Sequence, residues 1–275
     1  MTSIAVLLST YNGEDFLEPQ LDSIINQTIS NLKVYVRDDG STDSTRKILK
    51  AYKKKYPNKF TIHYGENIGS SSSFFWLLQK VEADIYFFCD QDDIWLPNKI
   101  AIHNSSYEDS NKVQMTFSDM FILDGKEETF LGLQRIKASY LITKPTRMIC
   151  QNCVAGCSMS INRKARDNIK KYGKIPDGLI HDHWFSVLTS LEGKVIFLPI
   201  SLVKYRIHNK NQIGISIFNY SYLLNKFVQI KKTLRHDFML INSLPISKRP
   251  NLIKYIITKV SVNISRLSVD FLKFK

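Results

Sequence analysis

Ile85-Tyr86-Phe87-Phe88-Cys89-Asp90-Gln91-Asp92-Asp93 is the stretch that decides the fold of this 275-residue chain. Its apolar opening has the length of a buried strand and is far too short to span a bilayer. Three carboxylates follow at once. In open α/β sheets ligands bind beyond the carboxyl ends of the strands, so acids in that place mark a site. Like charges this close repel one another unless a cation comes between them. A hard divalent ion, Mg2+ or Mn2+, suits one or two carboxylates together with the phosphate oxygens of a nucleotide diphosphate. Taken alone, the same acids would read as a decorated helix start ahead of Pro97.

Working outward towards the start of the chain, short apolar runs alternate with helical patterns: Ile4 to Leu8 then Glu14 to Asn26, Leu32 to Val36 then Thr42 to Tyr56, Phe60 to Tyr64 then Ser70 to Val81. Ile85 to Cys89 is followed in turn by a helical stretch from Pro97 to Tyr107. This is the pattern of parallel βαβ units. Each strand ends in a polar turn, so four loops should line one sheet edge: Thr10 to Gly13, Asp38 to Ser41, Glu66 to Gly69 and Asp90 to Asp93. A turn and helix cap would explain Asp38 to Ser41 on its own.

In the other direction the alternation weakens. A strand is expected at Val113 to Phe117, helices at Asn162 to Lys171 and Asp182 to Leu191, and strands near Val195 to Leu198 and Leu202 to Arg206. Beyond Gly214 the periodicity is helical. Tyr220, Leu223, Leu224, Phe227, Ile230 and Leu234 share one face; Ile253, Ile256, Ile257, Val260, Ile264, Leu267 and Phe271 share another, with Pro245 and Pro250 between the two helices. Three regions result: a half at 1–110 that carries the four polar loops, a substrate-binding half at 111–214, and a basic amphipathic extension at 215–275.

Four of these segments together resemble family 2 of the glycosyltransferases, with its GT-A nucleotide-diphospho-sugar transferase fold, an α/β architecture of Rossmann-like mixed sheet and flanking helices. They are Leu7 to Gly13, Val36 to Asp43, Glu66 to Gly69 and Asp90 to Asp93, in the family's order and spacing. The resemblance implies an inverting, metal-dependent transfer of a sugar from a nucleotide-sugar donor to a glycan. It puts Thr10, Tyr11, Asn12, Glu14, Asp38, Asp39, Asn67, Gly69, Asp90 and Gln91 around the donor, with Asp39 at the base, Asp90 near the ribose and Asp92 as the main metal ligand. Asp38 and Asp39 can exchange roles. Direct inversion needs a base for the acceptor hydroxyl. His181-Asp182-His183-Trp184 resembles the family's acidic residue at a helix start, which makes Asp182 the candidate base and Asp119 its rival. A plain helix cap is the structural alternative for Asp182.

Asn152 to Cys157, Tyr205 to Asn211, Cys89 to Lys99 and the His-Asp-x-Trp element are similar to segments of bacterial rhamnosyltransferases. They imply dTDP-L-rhamnose as donor, with a UDP-hexose as the alternative, and a lipid-linked or nascent cell-surface polysaccharide as acceptor. Trp95, Asn152, Gly156, Cys157, His181, His183 and Trp184 are the expected acceptor contacts, and His208 a second metal ligand or a diphosphate contact beside Arg206.

The net charge of +13 invites other readings. Its distribution limits them: residues 1–203 hold 24 Lys and Arg against 23 Asp and Glu, whereas 204–275 hold 14 against Asp237 and Asp270 alone. The tail therefore reads as a membrane-surface element, with packing helices or a homodimer interface as the plainer alternatives. No aromatic-basic interleaving supports a nucleic-acid module. With no long apolar segment and no signal peptide, the expectation is a cytoplasmic protein, peripheral on the inner face of the plasma membrane. Cys89, Cys150, Cys153 and Cys157 are expected as reduced thiols, and Cys150, Cys153 and Cys157 lack a convincing fourth ligand for zinc. A haloacid-dehalogenase-like phosphatase is mimicked by Asp90-Gln91-Asp92, although three βα units precede it. A dehydrogenase lacks its glycine-rich turn after the first strand.

Overall fold

The structure is a computed structural model describing residues 2–125, 127–130, 132, 138–208 and 230–271. The expected alternation is present: β1 (Ile4–Thr10), α1 (Leu17–Ile25), β2 (Leu32–Asp38), α2 (Thr45–Lys55), β3 (Phe60–Tyr64), α3 (Ser70–Lys80) and β4 (Ile85–Cys89). These four strands lie parallel in the order β3-β2-β1-β4. A strand covered on both faces sends alternate side chains to opposite cores. Accordingly Ala5, Leu7, Tyr86 and Phe88 enter one apolar cluster, and Ile4, Val6, Leu8, Ile85 and Phe87 the other.

The same sheet continues through β8 (Met159–Asn162), β6 (Gln114–Asp124), β9 (Lys194–Ile207) and the two-residue β5 (Ile94–Trp95), while β7 (Glu127–Phe130) pairs with β6. β8 is antiparallel to both β4 and β6, so the sheet is mixed. The two strands expected near 195–206 are one, and the strand expected at Val113 to Phe117 runs on to Asp124; their pairing shifts register around Asp119. Helices α4 (Lys99–Ser105), α5 (Ala138–Leu141), α6 (Pro145–Cys150), α7 (Arg163–Lys171) and α8 (His181–Glu192) complete this part. Asn162 caps α7, its side chain accepting from the Ala165 amide at 2.9 Å.

The extension holds α9 (Ile230–Ser243) and α10 (Leu252–Phe271). Tyr220, Leu223, Leu224 and Phe227, with the side chains of Ile230, Leu267 and Phe271, lie outside the described residues. Leu240, Ile241, Leu244, Tyr255 and Val262 are buried in the cluster that also covers α6 and α8. The stripe Ile253, Ile256, Ile257, Val260 and Ile264 faces outward instead. On the covered side the partly buried Lys259 meets the buried Asp237 at 2.5 Å and the Cys150 carbonyl at 2.8 Å, and Tyr255 donates to Asp237 at 2.9 Å. No helix among the described residues is long and apolar enough to cross a membrane.

Candidate active site

The four polar turns meet at one sheet edge and are tied together by side chain to backbone bonds. Asn12 Oδ1 accepts from the Thr42 amide (2.9 Å), Ser41 Oγ accepts from the Asn12 amide (3.0 Å), and Glu14 accepts from the Ser44 amide (2.8 Å). Gln91 bonds both ways with the Tyr11 backbone, accepting from its amide at 2.8 Å and donating to its carbonyl at 2.9 Å. Gly13 lies so close that a Cβ there would stand 2.3 Å from Gln91 Oε1. Asp38, fully buried, accepts from Thr10 Oγ1, the Ser41 amide and Arg46 Nε. Asp39 is paired with Arg37 and accepts from the amides of Ile68 (2.9 Å) and Gly69 (2.8 Å). Asn67 Oδ1 accepts from that same Gly69 amide at 3.1 Å. All the expected donor residues thus converge, several of them as the struts between loops.

The acidic turn carries more charge than its own bonds neutralise. Asp92 meets His208 Nε2 at 2.9 Å, and the His208 ring stacks on Phe16 with centroids 4.4 Å apart. Asp93 is wholly buried: its Oδ1 accepts from the Arg206 amide (3.1 Å), while Oδ2 has no hydrogen-bond partner. Burial, then the charge of Asp92, pushes its carboxyl up to about 7. Burial, then the charges of Asp93, Asp92 and Asp182, holds Asp90 well above the usual carboxylate range. One donor atom from each of Asp90, Asp93 and Cys157 lies within 4.8 Å of the others. Lys99, a fully buried cation, stands 3.7 Å from the Trp95 ring and donates to the Cys157 carbonyl. Asp93 is legible in the sequence as a member of the acidic run, though with no role of its own, whereas Lys99 was not singled out and looks like any surface helix lysine.

Asp182 opens α8 beside this turn, and it alone of His181 to Trp184 retains solvent access. Its Oδ1 accepts from the His183 amide (2.5 Å) and from Asn152 Nδ2 (3.1 Å), and the Gly156 amide adds a further bond. Burial outweighs these bonds and raises the carboxyl to about 6. The rival Asp119 is wholly buried at the register shift of β6 and accepts from the Met120 amide.

Several of the expected acceptor contacts are buried side chains. Trp95 is 2% exposed and packs against Phe87 beneath the turn; Trp184 is 1% exposed and meets the edge of Tyr172; Cys157 is 1% exposed with its thiol near Met120. His183 bonds the Met148 carbonyl at 2.7 Å and stacks on His236 of α9, pointing away from the cleft. His181 is wedged among Phe74, Phe88 and Phe185, and burial lowers it to about 3, which leaves it neutral. Asn152 and Gly156 act through Asp182. A Cβ on Gly156 would stand 2.6 Å from His181 Nε2, in a ring too confined to yield. Gly156→Ala is therefore expected to destabilise the protein by about 1–3 kcal/mol, read as a lowered Tm. All four cysteines are free and buried, as expected of reduced thiols. Asn209, Lys210 and Asn211 lie outside the described residues.

A mixed sheet whose parallel strands end in interlocked polar loops, with an acidic turn at its centre and a helix-borne carboxylate across the cleft, defines the GT-A class of nucleotide-sugar transferases. The chain matches Glycosyl transferase family 2 over residues 5–169 and belongs to that family. This excludes the phosphatase reading of Asp90 to Asp92. Among curated proteins it is 27% identical over 225 residues to the dTDP-rhamnosyl transferase RfbG of Shigella flexneri, covering 76% of this chain and 74% of that one. It is 24% identical over 213 residues to an uncharacterized glycosyltransferase of Nostoc sp., covering 76% of this chain. The chain spans 66% of the Nostoc protein and 30% of a Rickettsia bellii relative. Solved structures share the fold. S. aureus TarS 1-349 in complex with UDP-GlcNAc gives a TM-score of 0.60 at 14% identity over 97% of this chain and 91% of that one. The mannosyltransferase of Pyrobaculum calidifontis in complex with GDP-Man and Mn2+ also gives 0.60 at 14% identity, over 95% and 80%.

Proposed function

We propose that the protein is an inverting transferase that moves L-rhamnose from dTDP-L-rhamnose to a lipid-linked or nascent cell-surface polysaccharide at the cytoplasmic face of the plasma membrane. The observation that carries the reading is the closeness of Asp182 to the acidic turn, near enough for its charge to weigh on Asp90. A base and a diphosphate site share one cleft, as a single displacement requires. The acceptor hydroxyl attacks the anomeric carbon, its proton passes to Asp182, and the bond from that carbon to the diphosphate oxygen breaks, releasing dTDP. Asp182 is held for this by Asn152 and the Gly156 amide. The rhamnose donor is supported by the likeness to RfbG.

Mg2+ or Mn2+ fits the acidic turn, because crowded carboxylates with an unpartnered buried oxygen leave negative charge that a hard cation relieves. Asp92 and His208 would hold it, with Asp90 and Asp93 beside them. Bound there, the ion supplies Lewis-acid stabilisation of the departing diphosphate.

A thermal-shift panel of nucleoside diphosphates with and without Mn2+ tests the reading. dTDP should raise Tm only when the metal is present, by the ordinary linkage of ligand to folding. A response to UDP alone would move the donor to a UDP-hexose, and no response to any nucleotide would refute the transferase reading of the cleft.

A further inference from the structure

We propose that α10 lies flat on an anionic bilayer, with Leu252, Ile253, Ile256, Ile257, Val260 and Ile264 as its lipid face. These side chains are 50–72% exposed, a run of large aliphatics that water-facing helices do not normally carry. At 100° per residue they fall on one arc of the helix, and the buried Tyr255 and Val262 fall on the opposite arc. Among the described residues the helix therefore has two apolar faces, one of them covered and the other exposed. Ile246, just ahead of the helix, is 83% exposed.

Charge complementarity selects the occupant. Lys231, Lys232, Arg235, Arg249 and Lys254 are exposed on this extension, while Lys248 is paired with Glu192 at 2.9 Å. Of its two acids, Asp237 is buried and neutralised by Lys259. A surface that joins unsatisfied aliphatics to cations, on a helix too polar to cross a membrane, suits the headgroup boundary of anionic lipid.

The covered face links this surface to the catalytic half. Lys259 reaches the Cys150 carbonyl, two residues before the Asn152 that holds Asp182, and His236 stacks at 5.3 Å on His183, the residue after Asp182. These contacts fix the elements around Asp182 to the helix that carries the exposed stripe. This inference rests on the proposed membrane-borne acceptor for its purpose, but its test is independent of that reading.

The test is flotation of the full chain with vesicles of phosphatidylcholine alone or containing phosphatidylglycerol. The unaltered protein should float with the anionic vesicles only, and Ile256→Glu with Ile257→Glu should lower partitioning by about tenfold or more, since each loses the transfer energy of a buried aliphatic. Both positions are exposed, so Tm should hold, and Mn2+-dependent stabilisation by dTDP should be unchanged. Undiminished flotation of the variant overturns the proposal. So does a protein that ignores vesicles and runs as a dimer dissociated by the same substitutions, which would give the stripe to a second copy. Absence of a response to any nucleotide with flotation intact would refute the transferase reading of the cleft and leave the docking face standing.

Discussion

Asp182→Asn is expected to lower transfer by about a thousandfold while dTDP and Mn2+ still stabilise the protein, because general-base removal affects the chemical step and leaves donor binding in place. The pH profile gives a second readout. The working base is the carboxylate, and burial raises its proton affinity to about 6, so kcat/KM should fall roughly tenfold per unit as pH drops below about 6. Stability moves the other way. A carboxyl raised in the folded state binds its proton more tightly there than in the unfolded chain, so its charged form at neutral pH opposes folding. Asp182→Asn should therefore keep or raise Tm at pH 7, and an inactive variant that has also lost Tm would indicate a structural role. Unchanged transfer would take Asp182 out of the reaction.

Asp92→Ala should be at least as damaging, lowering transfer by about a thousandfold or more through loss of stabilisation of the leaving diphosphate. Its signature differs. The Mn2+-dependent part of the dTDP thermal shift should vanish as well, since Asp92 is assigned to the ion and Asp182 is not. A full metal-dependent shift in Asp92→Ala would transfer the ion to Asp90, Asp93 and Cys157, whose donor atoms already lie within 4.8 Å of one another.

The donor half was readable from sequence because buried parallel strands are written as unbroken apolar runs and their loops as polar interruptions. Ile4 to Leu8 and Ile85 to Cys89 could scarcely be anything else. Strands outside that grammar were missed. β5 is two residues long, and β8, Met159–Asn162, runs straight into the cap of α7 without a turn to announce it. The acceptor side was harder because proximity along the chain says little about direction around a helix. Asp182 faces the cleft, whereas His181 and Trp184 turn into the aromatic core and His183 towards α9. In α10 the helix was evident while its covered side was not: the core took the side bearing Tyr255, Lys259 and Val262, where Tyr255 and Lys259 both bond Asp237.

The grip of Gln91 on the Tyr11 backbone has a consequence for tolerance to change. In a triplet of acid, neutral residue, acid, the middle letter is readily treated as a spacer. Here its amide reads the first loop in both directions, and the side chain occupies the space that a Cβ at Gly13 would need. Positions 13 and 91 therefore constrain each other across 78 residues of chain, and drift at either is permitted only in step with its partner. The carboxylates keep their aim through a residue that performs no chemistry.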